Sequence, residues 1–193
     1  HLRMRGLVVG SDFAFGQNRE GDVNFLNSLG KVKGFDVKVV KLQEKTNRPI
    51  SSSLIREALS IGDLATVLQL LGRNYSVSGK VVTGDGRGAT LLGYPTANLE
   101  IPVYKAIPKD GIYATTATLD GKTFQATASL GIQPTFPNST HKIEVFILDL
   151  NANIYGKTVR LEFIERIRDE LTFPTKENLI SQIDKDVSDT RRI

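Results

Sequence analysis

The spacing of apolar residues changes character close to residue 75. Before that point it alternates between strand-like and helix-like periods. Leu7-Val8-Val9 is a short apolar run ended by Gly10-Ser11-Asp12, which reads as a buried strand. Asp22 is placed to cap a helix carrying Phe25, Leu26 and Leu29, with Gly30 as its stop. Phe35, Val37 and Val39 then alternate with Asp36 and Lys38, a second strand. Strand, helix and strand in close succession predict a βαβ unit with parallel strands. Ser51, Ser52 and Ser53 next precede the helical run Leu54 to Leu59. Gly62-Asp63 restarts a helix whose Leu64, Val67, Leu68 and Leu71 form one stripe, and Gly72 suits its C-terminal cap.

After Tyr75 the period becomes two. Ser76 to Val82, Gly111 to Leu119, Thr123 to Ala128, Ile143 to Leu150 and Thr158 to Ile164 read as strands, and the stretch leading from Pro95 to Pro102 adds a sixth. Their joints carry turn chemistry at Asp110-Gly111, Asp120-Gly121, Asn151-Ala152-Asn153 and Gly156-Lys157. Short strands without intervening helices predict a mainly antiparallel barrel or sandwich, and closure into a barrel removes exposed edges. The chain ends on a helix capped by Thr175, with Leu179, Ile180, Ile183 and Val187 as its packing face. The expected domains are residues 1–74, of α/β type, and residues 75–193, a six-stranded barrel with a C-terminal helix.

Composition narrows the function classes. With 193 residues and 40% hydrophobic content, the chain can build one large or two small cores. A net charge of +4 suits an anionic ligand without demanding nucleic acid, and there is no run of five basic residues. Tryptophan is absent and the tyrosines are scattered, which leaves a nucleic-acid-binding barrel without stacking platforms. The lack of cysteine excludes disulfides and thiolate metal sites. No apolar run is long enough for a membrane-spanning helix. These features suit a cytoplasmic protein that acts on small molecules; they do not define an oligomeric state.

Four groups of residues could carry chemistry. Gly84, Gly86, Gly88 and Gly93 lead into Tyr94-Pro95-Thr96-Ala97-Asn98. Glycines let backbone N–H groups approach a ligand, and the side chains of Thr96 and Asn98 share one face of an extended chain. The same residues also make a plain Gly/Pro turn with local Thr and Asn bonds. Glu144 stands with Phe146 and Leu148 on the face opposite Ile143, Val145 and Ile147, as a placed base or as a strand end reaching water. Arg168 and Glu170 form a charge cluster that is either solvated or closes over a ligand. Ser51, Ser52 and Ser53, with Arg56, can cap a helix and can equally bind an anion at its N-terminus.

The ordered set of motifs resembles bacterial bifunctional riboflavin kinases/FMN adenylyltransferases. Gly84-Asp85-Gly86-Arg87-Gly88 followed by Leu92-Gly93-Tyr94-Pro95-Thr96-Ala97-Asn98 is similar to the kinase signature. So are Pro108 to Tyr113, Gly131 to Phe136, Ile143-Glu144-Val145, and Asp149 followed by Tyr155-Gly156. Gly10 to Gly16 and Ile50 to Arg56 resemble two motifs of the adenylyltransferase domain. The resemblance implies that Thr96 and Asn98 bind Mg²⁺ with ATP and that the glycine loop covers the phosphates. It further implies that Glu144 is the base for the riboflavin 5′-hydroxyl and that Arg168 lies near the flavin. Asp12, Ser51, Ser52, Ser53 and Arg56 would be the adenylyltransferase remnant, part of a Rossmann-like nucleotidyltransferase domain. The family's His-x-Gly-His-type motif is missing, since only His1 and His141 are present. This implies FMN formation by the chain, and FAD formation only with the front of that domain. Tyr94 replaces the family's frequent Phe, and Leu171-Thr172 stands where basic residues are frequent. A non-catalytic flavin- or nucleotide-binding module is the competing reading.

Overall fold

The computed structural model describes residues 4–41, 44–45, 48–84, 94–132 and 141–193. The chain divides into two compact units, His1–Ser51 and Ser52–Ile193.

In the first unit, β1 (Gly6–Gly10) and β2 (Asp36–Val40) pair in parallel, with Leu7 opposite Val37 and Val9 opposite Val39. They are joined by α1 (Val23–Lys33), which gives the expected βαβ unit. Asp22 caps α1 by accepting from the Phe25 amide at 2.8 Å. The helix does not stop at Gly30. Gly30 is buried inside it, and a Cβ there would stand 2.5 Å from the Phe35 carbonyl oxygen. The helix runs one turn further, to Gly34, whose φ of 76° makes the left-handed C-terminal cap. Gly30 therefore serves close packing against the returning chain. Two short strands follow, β3 (Glu44–Lys45) and β4 (Arg48–Pro49).

The second unit opens with α2 (Ser52–Ile61) and α3 (Leu64–Leu71). Asp63 caps α3, accepting from the Thr66 amide at 2.9 Å and the Thr66 hydroxyl at 2.6 Å. These bonds to the ionised form hold its carboxyl below the usual range. Gly72 closes the helix in the left-handed conformation. Of the expected stripe, Leu64 and Val67 are buried in the core and Leu71 packs against it, whereas Leu68 is 45% exposed. Leu70, outside the expected stripe, is also buried.

Six strands form the barrel: β5 (Tyr75–Val82), β6 (Ala97–Glu100), β7 (Gly111–Leu119), β8 (Lys122–Ile132), β9 (His141–Ile147) and β10 (Thr158–Arg168). Their order round the closed barrel is β10-β5-β6-β9-β8-β7, and every pair is antiparallel. Asp120 and Gly121 connect β7 to β8 with φ of 49° and 79°. Two consecutive positive φ values match the strands' right-handed twist in a tight hairpin. β9 ends at Ile147, so Leu148 and Leu150 lie beyond the strand that was expected to include them. Leu148 is nonetheless buried.

Alternate residues fill the interior. Val77, Val81, Leu99, Tyr113, Leu130, Ile143, Val145, Leu161 and Phe163 are all nearly or fully buried in one core. Leu59 of α2 and Val67 of α3 belong to the same core. The Lys109 amide donates to the Leu59 carbonyl at 2.9 Å, and the Arg166 side chain runs against Gly62 at the corner between α2 and α3. The two helices therefore pack with the barrel. The division between compact units falls before Ser52, whereas the sequence placed a boundary at about residue 74. The apolar faces of α2 and α3 decide the difference, because the barrel covers them.

The C-terminal helix α4 (Lys176–Arg192) starts at Thr175, whose hydroxyl accepts from the Asn178 amide at 3.2 Å. Its deepest residues are polar. Asp186 and Thr190 are buried, while Leu179, Ile180, Ile183 and Val187 are only half-buried. Thr190 meets the Thr127 hydroxyl at 2.9 Å on β8. Arg168, at the end of β10, donates Nε and Nη2 to Asp186 at 2.9 and 2.6 Å, and Gln182 donates to the same carboxylate at 2.9 Å. The expected packing face thus sits beside a polar seam that fixes the helix in one register.

Three outcomes follow. A chain beginning at Ser52 should unfold in one cooperative transition. One beginning at Tyr75 should melt at lower temperature, because Leu59 and Val67 each contribute about 1.5–3 kcal/mol of burial; equal calorimetric melting points would contradict this packing. Asp63→Ala should remove about 1 kcal/mol at neutral pH. Because the folded carboxyl is held low, that stabilisation is present above its unfolded pKa and fades as pH falls through the folded one. Urea titrations across the acid range should therefore show wild type and variant converging. Asp186→Ala strands the Arg168 guanidinium in a largely buried seam. It should destabilise the barrel unit by about 2–4 kcal/mol in urea unfolding, toward the lower end of buried-pair losses because Arg168 keeps some solvent contact.

Candidate active site

Antiparallel pairing sets residues directly opposite one another on a common face. Val82 is opposite Asn98, Asn98 opposite Glu144, Glu144 opposite Ser129, Ser129 opposite Ile112, and Ile112 opposite Arg168. One row therefore crosses all six strands. Its sequence neighbours Leu99, Ile143, Val145, Leu130 and Tyr113 point into the core. The row itself faces outward, where Asn98, Glu144 and Ser129 are half-buried.

Asn98 and Glu144 are adjacent members of this row, their Cα atoms about 4.5–5.5 Å apart. The structure thus brings together two residues that the sequence singled out separately. Glu144 lies in mid-strand rather than at a strand end, and it is half-buried on the outward face. Thr96 precedes β6 and is half-buried. Gly84 lies against the Asn98 side chain so closely that a Cβ on Gly84 would overlap the amide. The start of the glycine segment therefore passes directly over Asn98, as a ligand-approaching loop requires. Gly86, Gly88 and Gly93 lie outside the described residues, as does the stretch from Gln133 to Phe136.

Tyr94 packs edge-on against Phe146, ring centroids 5.0 Å apart, and its hydroxyl donates to Asp184 of α4. That bond to a carboxylate is the main reason the Tyr94 pKa rises to about 12. Phe146 shares the outward face of β9 with Glu144, so Tyr94, Phe146 and α4 wall one side of the row. The Tyr94 hydroxyl is the atom that reaches α4.

Arg168 is in the row, three strands from Glu144 and about 14 Å away along the sheet. Its guanidinium is committed to Asp186 and to the Asp169 carbonyl at 2.9 Å. In this structure it anchors α4. Glu170, two residues on, reaches back over β8. A Cβ on Gly131 would stand 2.8 Å from the Glu170 carboxyl carbon. Gly131 has the same parity as Ser129, so the Glu170 carboxylate rests on the outward face that holds Glu144. Burial is the main cause of its raised pKa, with Asp110 adding to the rise and Arg168 opposing it.

Sequence inspection missed the Ser129 hydroxyl and the Arg168–Asp186 anchor, because both depend on pairings across long separations.

The adenylyltransferase-like residues are divided between the units. Asp12 and Ser51 belong to the first; Ser52, Ser53 and Arg56 lie in the opening turns of α2 in the second. All five are exposed.

Among the described residues there is no cluster of three His, Cys, Asp or Glu side chains able to hold a metal. Thr96 and Asn98 nevertheless fit a hard cation that brings most of its own ligands. Magnesium keeps waters and shares substrate phosphates, and it accepts neutral oxygen donors. No helix among the described residues is long and apolar enough to cross a membrane.

Comparison with known proteins identifies the family. Residues 71–193 match the riboflavin kinase family, and residues 1–54 match the FAD synthetase family. A bifunctional riboflavin kinase/FMN adenylyltransferase of Haemophilus influenzae is 38% identical over 97% of this chain and 60% of its own length. The protein of the same name from Listeria monocytogenes is 38% identical over 98% of the chain and 60% of its length. The chain thus spans about three fifths of these relatives. A crystal structure from Streptococcus pneumoniae, described as a macrolide-efflux protein, superposes with a TM-score of 0.82 at 34% identity. It covers 97% of this chain and 60% of that one. That description belongs to the other protein; the superposition shows a shared fold. Matched over more than half its length by one family, the chain belongs to the riboflavin kinase family.

Proposed function

We propose that this chain transfers the γ-phosphoryl group of ATP to the 5′-hydroxyl of riboflavin, giving FMN. The observation that carries the reading is the direct opposition of Asn98 and Glu144 under Gly84. A phosphate-approaching backbone, a neutral oxygen donor and a carboxylate base occur at adjacent positions on one face.

Each residue then has a task. The glycine segment supplies backbone N–H donors to the phosphates. Thr96 and Asn98 offer oxygens to Mg²⁺, which neutralises phosphate charge when bound. Glu144 orients the attacking hydroxyl and accepts its proton as the new O–P bond forms and the bond to ADP breaks. Phosphoryl transfer depends chiefly on such positioning and charge neutralisation. Phe146 and the wall formed by Tyr94 and α4 offer the apolar surface that an isoalloxazine needs. For a longer chain carrying the rest of the nucleotidyltransferase domain, the reading extends to FAD formation from FMN, with Asp12 and Ser51 of the first unit and Ser52, Ser53 and Arg56 of the second as candidate residues. The proposed substrates are small molecules, with no role for nucleic acid, and a cytoplasmic setting fits them.

Glu144→Gln should lower turnover at least about 10²-fold while ATP affinity, measured by calorimetry, stays within about twofold of wild type. Chromatographic separation of FMN from riboflavin gives the rate. Near-normal turnover would remove Glu144 as base. Flavin binding without ADP release by the wild type would favour a non-catalytic binding module.

A further inference from the structure

The row through Glu144 explains one carboxylate on the outward face of the barrel and leaves a second unexplained. Glu144 is directly opposite Ser129, and Gly131 is two residues beyond Ser129 on the same strand. Glu144 and Gly131 are therefore diagonal neighbours, about 7–8 Å apart at Cα. The Glu170 carboxylate occupies the place that a Gly131 side chain would fill. Two carboxylates thus sit at neighbouring positions on one face, Glu144 opposite Ser129 and Glu170 over Gly131, two residues along the same strand. The main-chain path reinforces the placement. Glu170 follows Arg168, whose guanidinium is held by buried Asp186, so the segment's exit from β10 is fixed.

Glu170 is exposed in the free chain, and a carboxylate that a bound polyol covers keeps its lone pairs satisfied only if hydroxyl donors replace the displaced water. The tail of riboflavin is a polyol whose terminal hydroxyl is the one to be phosphorylated, and its secondary hydroxyls are such donors. We propose that Glu170 is a specificity-determining residue that accepts hydrogen bonds from the secondary hydroxyls of the flavin's polyol tail, setting the register in which the terminal hydroxyl reaches Glu144. The missing Cβ of Gly131 provides the space. This inference rests on the riboflavin reading above. It differs from that reading in assigning recognition of the tail to a residue that takes no part in proton transfer.

The test reads binding directly, so it does not depend on turnover. Riboflavin fluorescence quenching is titrated with the wild-type chain, Glu170→Ala and Gly131→Ala, each checked for an unchanged melting temperature. The same titration uses a flavin analogue with an ω-hydroxyalkyl tail of equal length that lacks the secondary hydroxyls. Loss of hydrogen bonds to a charged acceptor should weaken riboflavin binding at least about tenfold in Glu170→Ala. The analogue should bind wild type and Glu170→Ala alike, and ATP affinity should not change. Gly131→Ala should show the same loss by displacing the carboxylate, and the double variant should be no weaker than Glu170→Ala alone. An equal loss for riboflavin and the analogue would make Glu170 a structural residue and overturn the proposal. So would riboflavin affinity unchanged in Glu170→Ala, or no binding of riboflavin by the wild type. If the wild type binds riboflavin with this pattern but forms no FMN, the kinase reading fails while the assignment of Glu170 stands.

Discussion

Closing six antiparallel strands into a barrel leaves no free choice of register. Every strand is paired on both sides, so a slip of one residue anywhere would turn an apolar interior outward. With Leu99, Val145, Leu130 and Tyr113 committed to the core, the intervening residues are committed to the outer face. That constraint aligns Val82, Asn98, Glu144, Ser129, Ile112 and Arg168 in one row. The site's geometry is thus a by-product of core packing. The candidate side chains need no local device to hold their spacing, because the hydrophobic effect on the opposite face holds it for them.

Two helical elements complete the platform by different physics. The α2–α3 pair is held by apolar burial, with Leu59 and Val67 inside the barrel's own core. The C-terminal helix instead docks through Asp186, Thr190 and the Arg168 fork. Apolar contact is tolerant of small slides, whereas a bidentate pair and a hydroxyl pair are satisfied in one register only. A helix that walls the candidate face is held in place by the second kind of attachment. The Tyr94 hydroxyl adds a link from the same helix to the residue just ahead of Pro95 and Thr96.

Much of this was legible in the residues. The change from mixed periods to a period of two near Tyr75 predicted the switch from an α/β unit to an antiparallel barrel. Asp22, Asp63 and Thr175 were identifiable as caps, because a cap is a local bond between near neighbours. Asp120-Gly121 was identifiable as a tight hairpin for the same reason. The errors were also of one kind. Gly30 looked like a helix stop but is a packing glycine, and Leu68 looked buried but is exposed. Both were decided by what the helix packs against.

The sequence by itself determined which residue types face which side of each strand, where the turns fall, and that Thr96, Asn98 and Glu144 were the residues to watch. Only the tertiary structure decided that Asn98 and Glu144 are opposite one another, that Gly84 lies over the Asn98 amide, and that Glu170 rests on Gly131. It also decided that α2 and α3 pack with the barrel. Periodicity records a residue's own face because that depends on its immediate neighbours. Which strand lies alongside, and in what register, depends on satisfying every pairing and the whole core at once, and no single stretch of sequence contains that condition.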